Sequence, residues 1–557
     1  MKIPYIIKDI YSLNNYLVFE NVNKISVTMA QRTVKFKMFS NYDQLLDQTK
    51  FVYGDTGEVV IHVNYEDSIK SDGYQLKINK NKEIIINAKN ERGIRYAFNV
   101  LNNLVASNYQ NLLLPIIKID DEPSFKLRGV IEGFYGNPWS HENRLDVINF
   151  MDKYRLNAFM YAPKDDEYHR NKWRELYPEE ELTKLITYKN ECDLKEIDFY
   201  YCISPGKDFN YLDENDFNLL YKKLDQVIDR GINKFALLMD DIDYKLSEEN
   251  KKIFKRPGIA HAYITNKINN YIKENVIEHD FIMCPTEYHQ NWDSQYRNDL
   301  KIKMDADVKV FYTGDNVCAE IIDNDNAKHI KEVYDHPIVL WENYPVNDFW
   351  KSRIFLAPII NRGTNLNQHF ESMVSNPMNQ WHASKIGVIS IADYMWNTNK
   401  YNPEISFERA LNELVEENDV NDLRVFAKAN YLSVLNNDDL LTHQNWVKHN
   451  EDDLILNHYQ KLSQSAKNLL KTNYPLIEEI KPWLERAIKE ADLVKLIYKN
   501  EIKKEQVIDL IKEPIALGDQ LFNLIIKAKK LISDEEEAKY ITSLLGGSWW
   551  KVWENKY

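Results

Sequence analysis

Cysteine is scarce in this 557-residue chain, which has only Cys192, Cys202, Cys284 and Cys318. Four scattered residues cannot form a disulfide framework, and no pair has the spacing of a thiolate zinc site. Cys202, Cys284 and Cys318 stand in or beside apolar stretches, where a thiol behaves as a small buried hydrophobe. Also missing is any apolar run near the roughly 18 residues that a spanning helix requires, so no membrane partner is expected. The N-terminal MKIPYIIKDI is interrupted by Pro4, Lys8 and Asp9 and is not a secretory h-region. With Met1 as the native start the expected location is cytoplasmic; removal of a signal peptide would make it secreted. Basic residues are outnumbered, 71 Lys+Arg against 85 Asp+Glu, for a formal charge of −14. That balance argues against nucleic acid as a partner, because phosphate contacts need clustered Lys and Arg. Internal repeats and low-complexity linkers are absent as well.

What is present is apolar mass and aromatic density. Hydrophobic residues make up 44% of the chain and aromatic residues 12%, ample for sizeable cores and too much for a disordered or fibrous protein. At roughly 100–200 residues per domain, the length corresponds to about three domains. Residues 1–121 read as a small α/β N-terminal domain. In it, strand-like YQLKI (74–78) and EIIINA (83–88), joined by the turn NKNK, precede ERGIRYAFNVLNNLV (91–105). Ile94, Ala97, Phe98, Leu101 and Val105 of that last run recur at helical spacing. Residues 404–557 are helical in pattern throughout, through ISFERALNELVEEN, DDLILNHYQKLSQSAKNLL, PWLERAIKEADLVKLIYKN and EPIALGDQLFNLIIKAKKLI, as in a helical bundle. The terminal Trp549, Trp550 and Trp553 read as core packing rather than a sugar platform.

Between them, over 122–403, apolar and β-branched runs alternate with helical patterns. The runs are RGVIEGFY (128–135), AFMYAPK (158–164), DFYYCISPG (198–206), KFALLMDD (234–241), DFIMCPTEY (280–288), VKVFYTGD (308–315), PIVLWENYP (337–345) and IGVISIADYMW (386–396). Patterns such as ENRLDVINFMDKYR (142–155) and FNLLYKKLDQVIDRG (217–231) lie between them. Eight near-continuous apolar strands with helical crossovers predict an α/β fold of the closed (β/α)8 TIM-barrel type. An open doubly wound sheet is the second choice, but no GxGxxG or Walker loop follows any strand.

Six of the eight runs end in polar residues: Lys164–Asp165–Asp166, Asp240–Asp241, Glu287–Tyr288, Thr313–Gly314–Asp315, Glu342–Asn343 and Asp393–Tyr394. In a parallel barrel all such ends face one mouth, where active sites are built. Asp240 and Asp241 stand side by side after a buried run. Burial and like charge are expected to raise at least one of their carboxyl pKa values, and a carboxyl still protonated near neutral pH suits a general acid. The pair could also be solvated or cap a helix, or DDID could hold Mg²⁺ or Ca²⁺. Aromatic density favours sugar over metal: Tyr135, Tyr161, Tyr288, Tyr312, Trp341, Tyr344 and Trp396 are predicted at the mouth, beside Lys164, Asn343 and Asp348. No histidine set stands at strand ends to bind a catalytic zinc, and no metal or other cofactor is expected.

RGVIEGFYGNPWSHENR (128–144), YAPKDDEYHR (161–170), LLMDD, CPTEY (284–288), TGD (313–315), ENYPVND (342–348) and NPM (376–378) together closely resemble glycoside hydrolase family 84. These are the retaining β-N-acetylglucosaminidases that include the O-GlcNAcases, with bacterial members once called hyaluronidases. The resemblance is strong over about 128–400, and it implies a three-domain layout. It also implies an exo-acting hydrolase of terminal β-linked GlcNAc on glycans or glycoproteins, in which the substrate's own 2-acetamido oxygen closes to an oxazoline. Carried over by position, Asp240 would accept the acetamide N–H and Asp241 would serve as general acid, then base. Tyr288 would touch the acetamide oxygen. Thr313, Val317 and Trp341 would wall the acetyl recess, and Asn343 would position the acids. Gly133, Lys164, Asp348 and Asn376 would hold the 3-, 4- and 6-hydroxyls. Glu342, where some members carry an aromatic, is expected at the rim. The alternatives are an endo-acting hyaluronidase, which the −14 charge disfavours for a polyanionic substrate, or a non-catalytic carbohydrate-binding protein on the same fold.

Overall fold

The computed structural model describes residues 4–20, 22, 24–29, 50–108, 111–436 and 445–499, with isolated positions between 501 and 515. The expected helix at 513–532, apart from position 515, and Trp549, Trp550 and Trp553 lie outside the described residues. The chain divides into two compact units, one of residues 1–343, 362–376 and 391–402, the other of 344–361, 377–390 and 403–557.

The first unit opens with a mixed sheet. Its strands are β1 (Asp9–Phe19), β2 (Lys24–Met29), β3 (Lys50–Tyr53), β4 (Val59–Tyr65), β5 (Tyr74–Ile78), β6 (Ile84–Ala88), β7 (Ala106–Asn108) and β8 (Asn111–Asp121). They pair in the order β1-β8-β5-β6-β4-β2-β3, with β7 against β8. Strands β5 and β6 are the two runs expected from the alternation, and every second residue of each is buried. Helix α1 (Glu91–Leu104) follows, capped by Asn90, whose side chain accepts from the Gly93 N–H. Its buried face includes Ile94, Ala97, Phe98 and Leu101.

The barrel strands are β9 (Leu127–Ile131), β10 (Ala158–Tyr161), β11 (Asp198–Ile203), β12 (Lys234–Leu238), β13 (Asp280–Cys284), β14 (Lys309–Tyr312), β15 (Ile338–Glu342) and β16 (Phe370–Ser375). They close in the order β10-β11-β12-β13-β14-β15-β16-β9, all parallel. Between them run α2 (His141–Lys153), α3 (Glu179–Leu194), α4 (Glu214–Ile228), α5 (Glu248–Phe254), α6 (Pro257–Asn275), α7 (Gln295–Lys303) and α8 (Asn324–Tyr334). The strands are apolar on both faces because one lines the barrel and the other lies under helices. Alternate residues, among them Ile131, Met160, Cys202, Leu238, Cys284, Phe311, Trp341 and Val374, fill the interior.

One expected strand is a helix. IGVISIADYMW (386–396) belongs to α9 (Trp381–Trp396), and the eighth strand is FESMVS (370–375). The helix is buried on every side, so its sequence is apolar without a 3.6-residue rhythm, and such a run cannot be told from a buried strand. The true strand hides its character behind an exposed Glu371, beside a register shift between β15 and β16. Trp396 is accordingly not at the barrel mouth. Its indole packs edge-on to Tyr96 in the core of the N-terminal sheet, and its Nε1 donates to Asp121 at 2.8 Å.

That contact is part of a buried polar junction. Asp121 also accepts from Tyr74 OH at 2.8 Å, Arg155 Nη1 at 2.9 Å and the Lys8 N–H at 2.8 Å. The Arg155 guanidinium is sandwiched 3.8 Å from the Tyr5 ring and 3.7 Å from that of Trp396. Nearby Asp72 accepts from Arg128 of β9 and from Asn157, which precedes β10.

The second unit contains α10 (Pro403–Leu414), α11 (Val420–Lys428) and the helices Asp452–Leu469 and Pro475–Lys499. In the last of these Ile480, Leu484, Ala487, Ala491 and Val494 are buried at helical spacing. All four cysteines of the chain are free and buried. Removing one partner of a buried ion pair typically costs about 3–5 kcal/mol. Arg155→Met is therefore expected to lower unfolding stability by about that amount, read by urea denaturation at neutral pH. A loss under about 1 kcal/mol would contradict the assigned role of the Asp121 junction.

Candidate active site

The alternation that fills the barrel also aims the residues beyond it. Gly133 follows Ile131 by two positions, Lys164 follows Ala162, Asp240 follows Leu238, Thr313 follows Phe311, Asn343 follows Trp341 and Asn376 follows Val374. Each therefore continues the inward-facing row of its strand at the C-terminal end. Tyr288, four positions beyond Cys284, packs against the same interior cluster. Trp341 is buried, and its indole occupies the space that a Cβ at Gly133 would need, which is why a glycine stands there.

At the centre is an ion pair. Lys164 Nζ donates to Asp240 Oδ2 at 2.5 Å, with both side chains less than a tenth exposed. Burial by itself would raise the Asp240 carboxyl pKa. The charge and hydrogen bond of Lys164, helped by Arg170, more than offset this and hold it below the ordinary carboxylate range. Burial likewise opposes the Lys164 charge, and Asp240 restores it and raises its pKa. The expected upward shift is thus not found at Asp240, because its nearest charge is an ammonium on another strand and not its sequence neighbour. Its second oxygen, Oδ1, is buried and has no hydrogen-bond partner among the described residues. In a folded protein such an acceptor is costly unless something fills it.

Asp241 has the opposite parity and would point away. Its backbone adopts φ +50°, in the left-handed region that a non-glycine residue rarely occupies. With that turn, its exposed carboxylate accepts from Tyr135 OH at 2.6 Å and from Tyr288 OH at 3.3 Å. Tyr135 in turn accepts from Arg170 Nη1 at 3.0 Å. Burial and the Asp241 charge, against the lowering influence of Lys164, push the Tyr135 phenol up to about 12. Tyr135 and Arg170 were missed as carboxylate partners by sequence reasoning, although both lie in the motifs GFYGNPW and KDDEYHR.

A second chain of hydrogen bonds crosses the site. The Gly133 N–H donates to Asn376 Oδ1 at 3.2 Å, Asn376 Nδ2 to Asn343 Oδ1 at 2.9 Å, and Asn343 Nδ2 to the Val317 carbonyl at 2.7 Å. Thr313 Oγ1 donates to the Asn316 carbonyl at 3.0 Å. Four predicted residues and their loop are thus mutually oriented. Asp348 lies in the second unit, where it opens the short 3-10 turn Asp348–Trp350. Tyr344 is also in that unit, and its hydroxyl donates to the Ala357 carbonyl.

Several strand-end acids expected at the mouth instead fasten loops. Asp166 accepts from Tyr161 OH, Tyr177 OH and the Tyr168 N–H. Glu287 accepts from Tyr244 OH and Ser294 Oγ. Asp315 is held by Asn326 and Tyr312. Glu342 is buried against Arg362 and is not at the rim, and Asp393 lies in α9, accepting from the Ile6 N–H. Tyr161 and Tyr312 follow the inward Met160 and Phe311 by one position, so they face the helices and not the mouth.

Over residues 128–428, more than half of the chain, the sequence matches the model of the β-N-acetylglucosaminidase family. The chain belongs to this family, glycoside hydrolase family 84. Family members in rat and mouse, each named Protein O-GlcNAcase, are 34% identical to it over 274 residues, 48% of this chain and 30% of theirs. The chain therefore matches under a third of the length of these curated relatives. Among solved family structures, CpGH84B superposes with a TM-score of 0.81 at 25% identity, covering 95% of this chain and 99% of its own. A mutant of the Thermobaculum terrenum O-GlcNAc hydrolase gives 0.69 at 26% identity, covering 77% and 98%.

Family 84 is a family of glycoside hydrolases, so the electrostatic role of Lys164 can be read in a hydrolytic rate. In Lys164→Met, Asp240 stays buried with no cation beside it, and its pKa rises. On the hydrolase reading proposed below, in which Asp240 acts as a carboxylate, the acid limb of kcat/KM for an aryl β-GlcNAc substrate is expected to move to higher pH. A profile that keeps the wild-type acid limb would contradict the pairing.

Proposed function

We propose that the protein is a retaining exo-β-N-acetylglucosaminidase that releases terminal β-linked GlcNAc by substrate-assisted catalysis. The observation that carries this reading is the buried, unpartnered Oδ1 of an Asp240 kept ionised by Lys164. A 2-acetamido N–H is a fitting donor for it. As that N–H becomes more acidic in the transition state, the hydrogen bond strengthens, which is where a catalytic interaction has to gain.

In the first step the acetamide oxygen bonds to the anomeric carbon and the glycosidic C–O bond breaks. Asp241, protonated, gives its proton to the leaving oxygen. The positive charge of the resulting oxazolinium rests on the ring nitrogen, whose N–H donates to Asp240. In the second step Asp241 takes a proton from water, the water oxygen attacks the anomeric carbon, and the oxazoline opens. Two inversions give retention. The attacking group is tethered, so no enzyme carboxylate is needed as nucleophile. Tyr288 and Tyr135 fix the Asp241 carboxylate between steps. Thr313, Val317 and Trp341 wall the acetyl recess, and Asn343 orients it. Gly133, Lys164 and Asn376 hold ring hydroxyls.

General acid–base assistance contributes typically about 10²–10⁴-fold. Asp241→Asn is therefore expected to abolish turnover of aryl β-GlcNAc substrates with poor leaving groups while sparing good ones more. Asp240→Ala is expected to slow all of them, and single sugars should be the product. Wild-type rates in Asp240→Ala, or release of oligosaccharides, would overturn the proposal.

A further inference from the structure

Residues 313–323 connect β14 to α8, and this loop carries Val317, a wall of the acetyl recess in the reading above. It is fastened from two sides. On the inner side Asn343 Nδ2 holds the Val317 carbonyl. On the outer side stands Arg362, whose side chain is 2% exposed. Its Nε and Nη2 donate to the two oxygens of Glu342 at 2.6 and 2.9 Å, a bidentate pair. The same guanidinium reaches the loop itself, with Nη2 donating to the Ala319 carbonyl and Nη1 to the Glu320 carbonyl, each at 3.0 Å. The adjacent backbone is zipped to the loop's end by a bridge between Arg362 and Ile322 and by the Gly363 N–H on the Ile322 carbonyl.

The two fastenings meet in sequence. Glu342 immediately precedes Asn343, and the Glu342 carbonyl accepts from the Asn376 N–H at 2.8 Å. The end of β15 therefore presents one residue inward to Val317 and the preceding one outward to Arg362, and the loop is stretched between them. A guanidinium can serve a carboxylate and two carbonyls at once because its five N–H donors lie in one rigid plane; an ammonium cannot hold that set in fixed directions.

We propose that Arg362 and Glu342 are positioning residues that set the depth of the N-acyl recess, and thereby restrict the substrate to a 2-acetamido group in preference to longer N-acyl groups. The inference rests on the hydrolase reading above. Without the clamp, the Ala319 and Glu320 carbonyls lose the Arg362 donors, and the stretch between the ties that remain, Val317 on Asn343 and Ile322 on the Arg362–Gly363 backbone, relaxes outward. A relaxed wall fits the acetyl methyl less closely and admits a longer chain.

The test compares aryl N-acetyl- and N-butanoyl-β-D-glucosaminides with the same leaving group. Wild-type protein is expected to prefer the N-acetyl substrate strongly in kcat/KM. Arg362→Met should reduce that ratio at least tenfold, by losing rate on the N-acetyl substrate while keeping or gaining it on the N-butanoyl one. Because Arg362→Met strands a buried Glu342, a double variant, Glu342→Leu with Arg362→Met, removes both charges and is expected to recover stability. Its thermal midpoint should return toward wild type while the selectivity stays lost, since the carbonyl donors are still missing. A wild-type ratio in the double variant, or equal losses on both substrates, would overturn the inference. A wild-type protein that turns over neither substrate would instead remove the hydrolase reading, and this one with it.

Discussion

The site depends on one ion pair at the closed top of the barrel. Lys164 and Asp240 stand just beyond the C-terminal ends of β10 and β12, which β11 separates, each continuing the inward row of its strand, and each makes the other's charge tolerable. Burial alone would push each toward its neutral form. Together they leave a carboxylate with one oxygen committed to the protein and one open. In the proposed reaction this buried carboxylate is a pre-organised receptor for a donor that gains positive character, so the electrostatic cost is met at folding and not at turnover.

Around this pair the barrel supplies direction and the loops supply restraint. Direction follows from parity, which explains why predicted residues on six strands converge. Restraint is provided by buried polar groups that serve backbone carbonyls and N–H groups. Arg297, fully buried, donates to the Glu287, His289, Gln290 and Trp292 carbonyls of the loop that carries Tyr288. Asp166 ties down the loop after Lys164, and Arg362 holds the loop with Val317. Asp241 breaks parity, and its left-handed backbone is a local strain that turns a second carboxylate back toward Tyr135 and Tyr288.

Much of this was legible before the structure. Seven of the eight barrel strands, α1, α2, α4 and the paired strands of the N-terminal sheet are where their periodicity puts them. The site residues of the first unit share one mouth. What failed did so for physical reasons. Helix α9 imitates a strand because it is buried on all sides, and β16 conceals itself behind Glu371. Tyr161, Tyr312 and Trp396 were counted as mouth aromatics by position along the chain, without asking which face each occupies. At least one carboxyl of the Asp240–Asp241 pair was expected to rise, because sequence displays the two acids side by side but not Lys164, which is 76 positions away and holds Asp240 down. The loop-holding roles of Glu342, Glu287 and Asp315 depend on partners that only the fold brings near.

The account stands or falls on what occupies the open oxygen of Asp240. A crystal structure of the protein with a GlcNAc-derived thiazoline, a mimic of the oxazoline, measures this directly. The ring nitrogen should lie about 2.7–3.2 Å from an Asp240 carboxylate oxygen, with Lys164 still on the other. A thiazoline bound elsewhere, or an Asp240 turned away from its nitrogen, would contradict it.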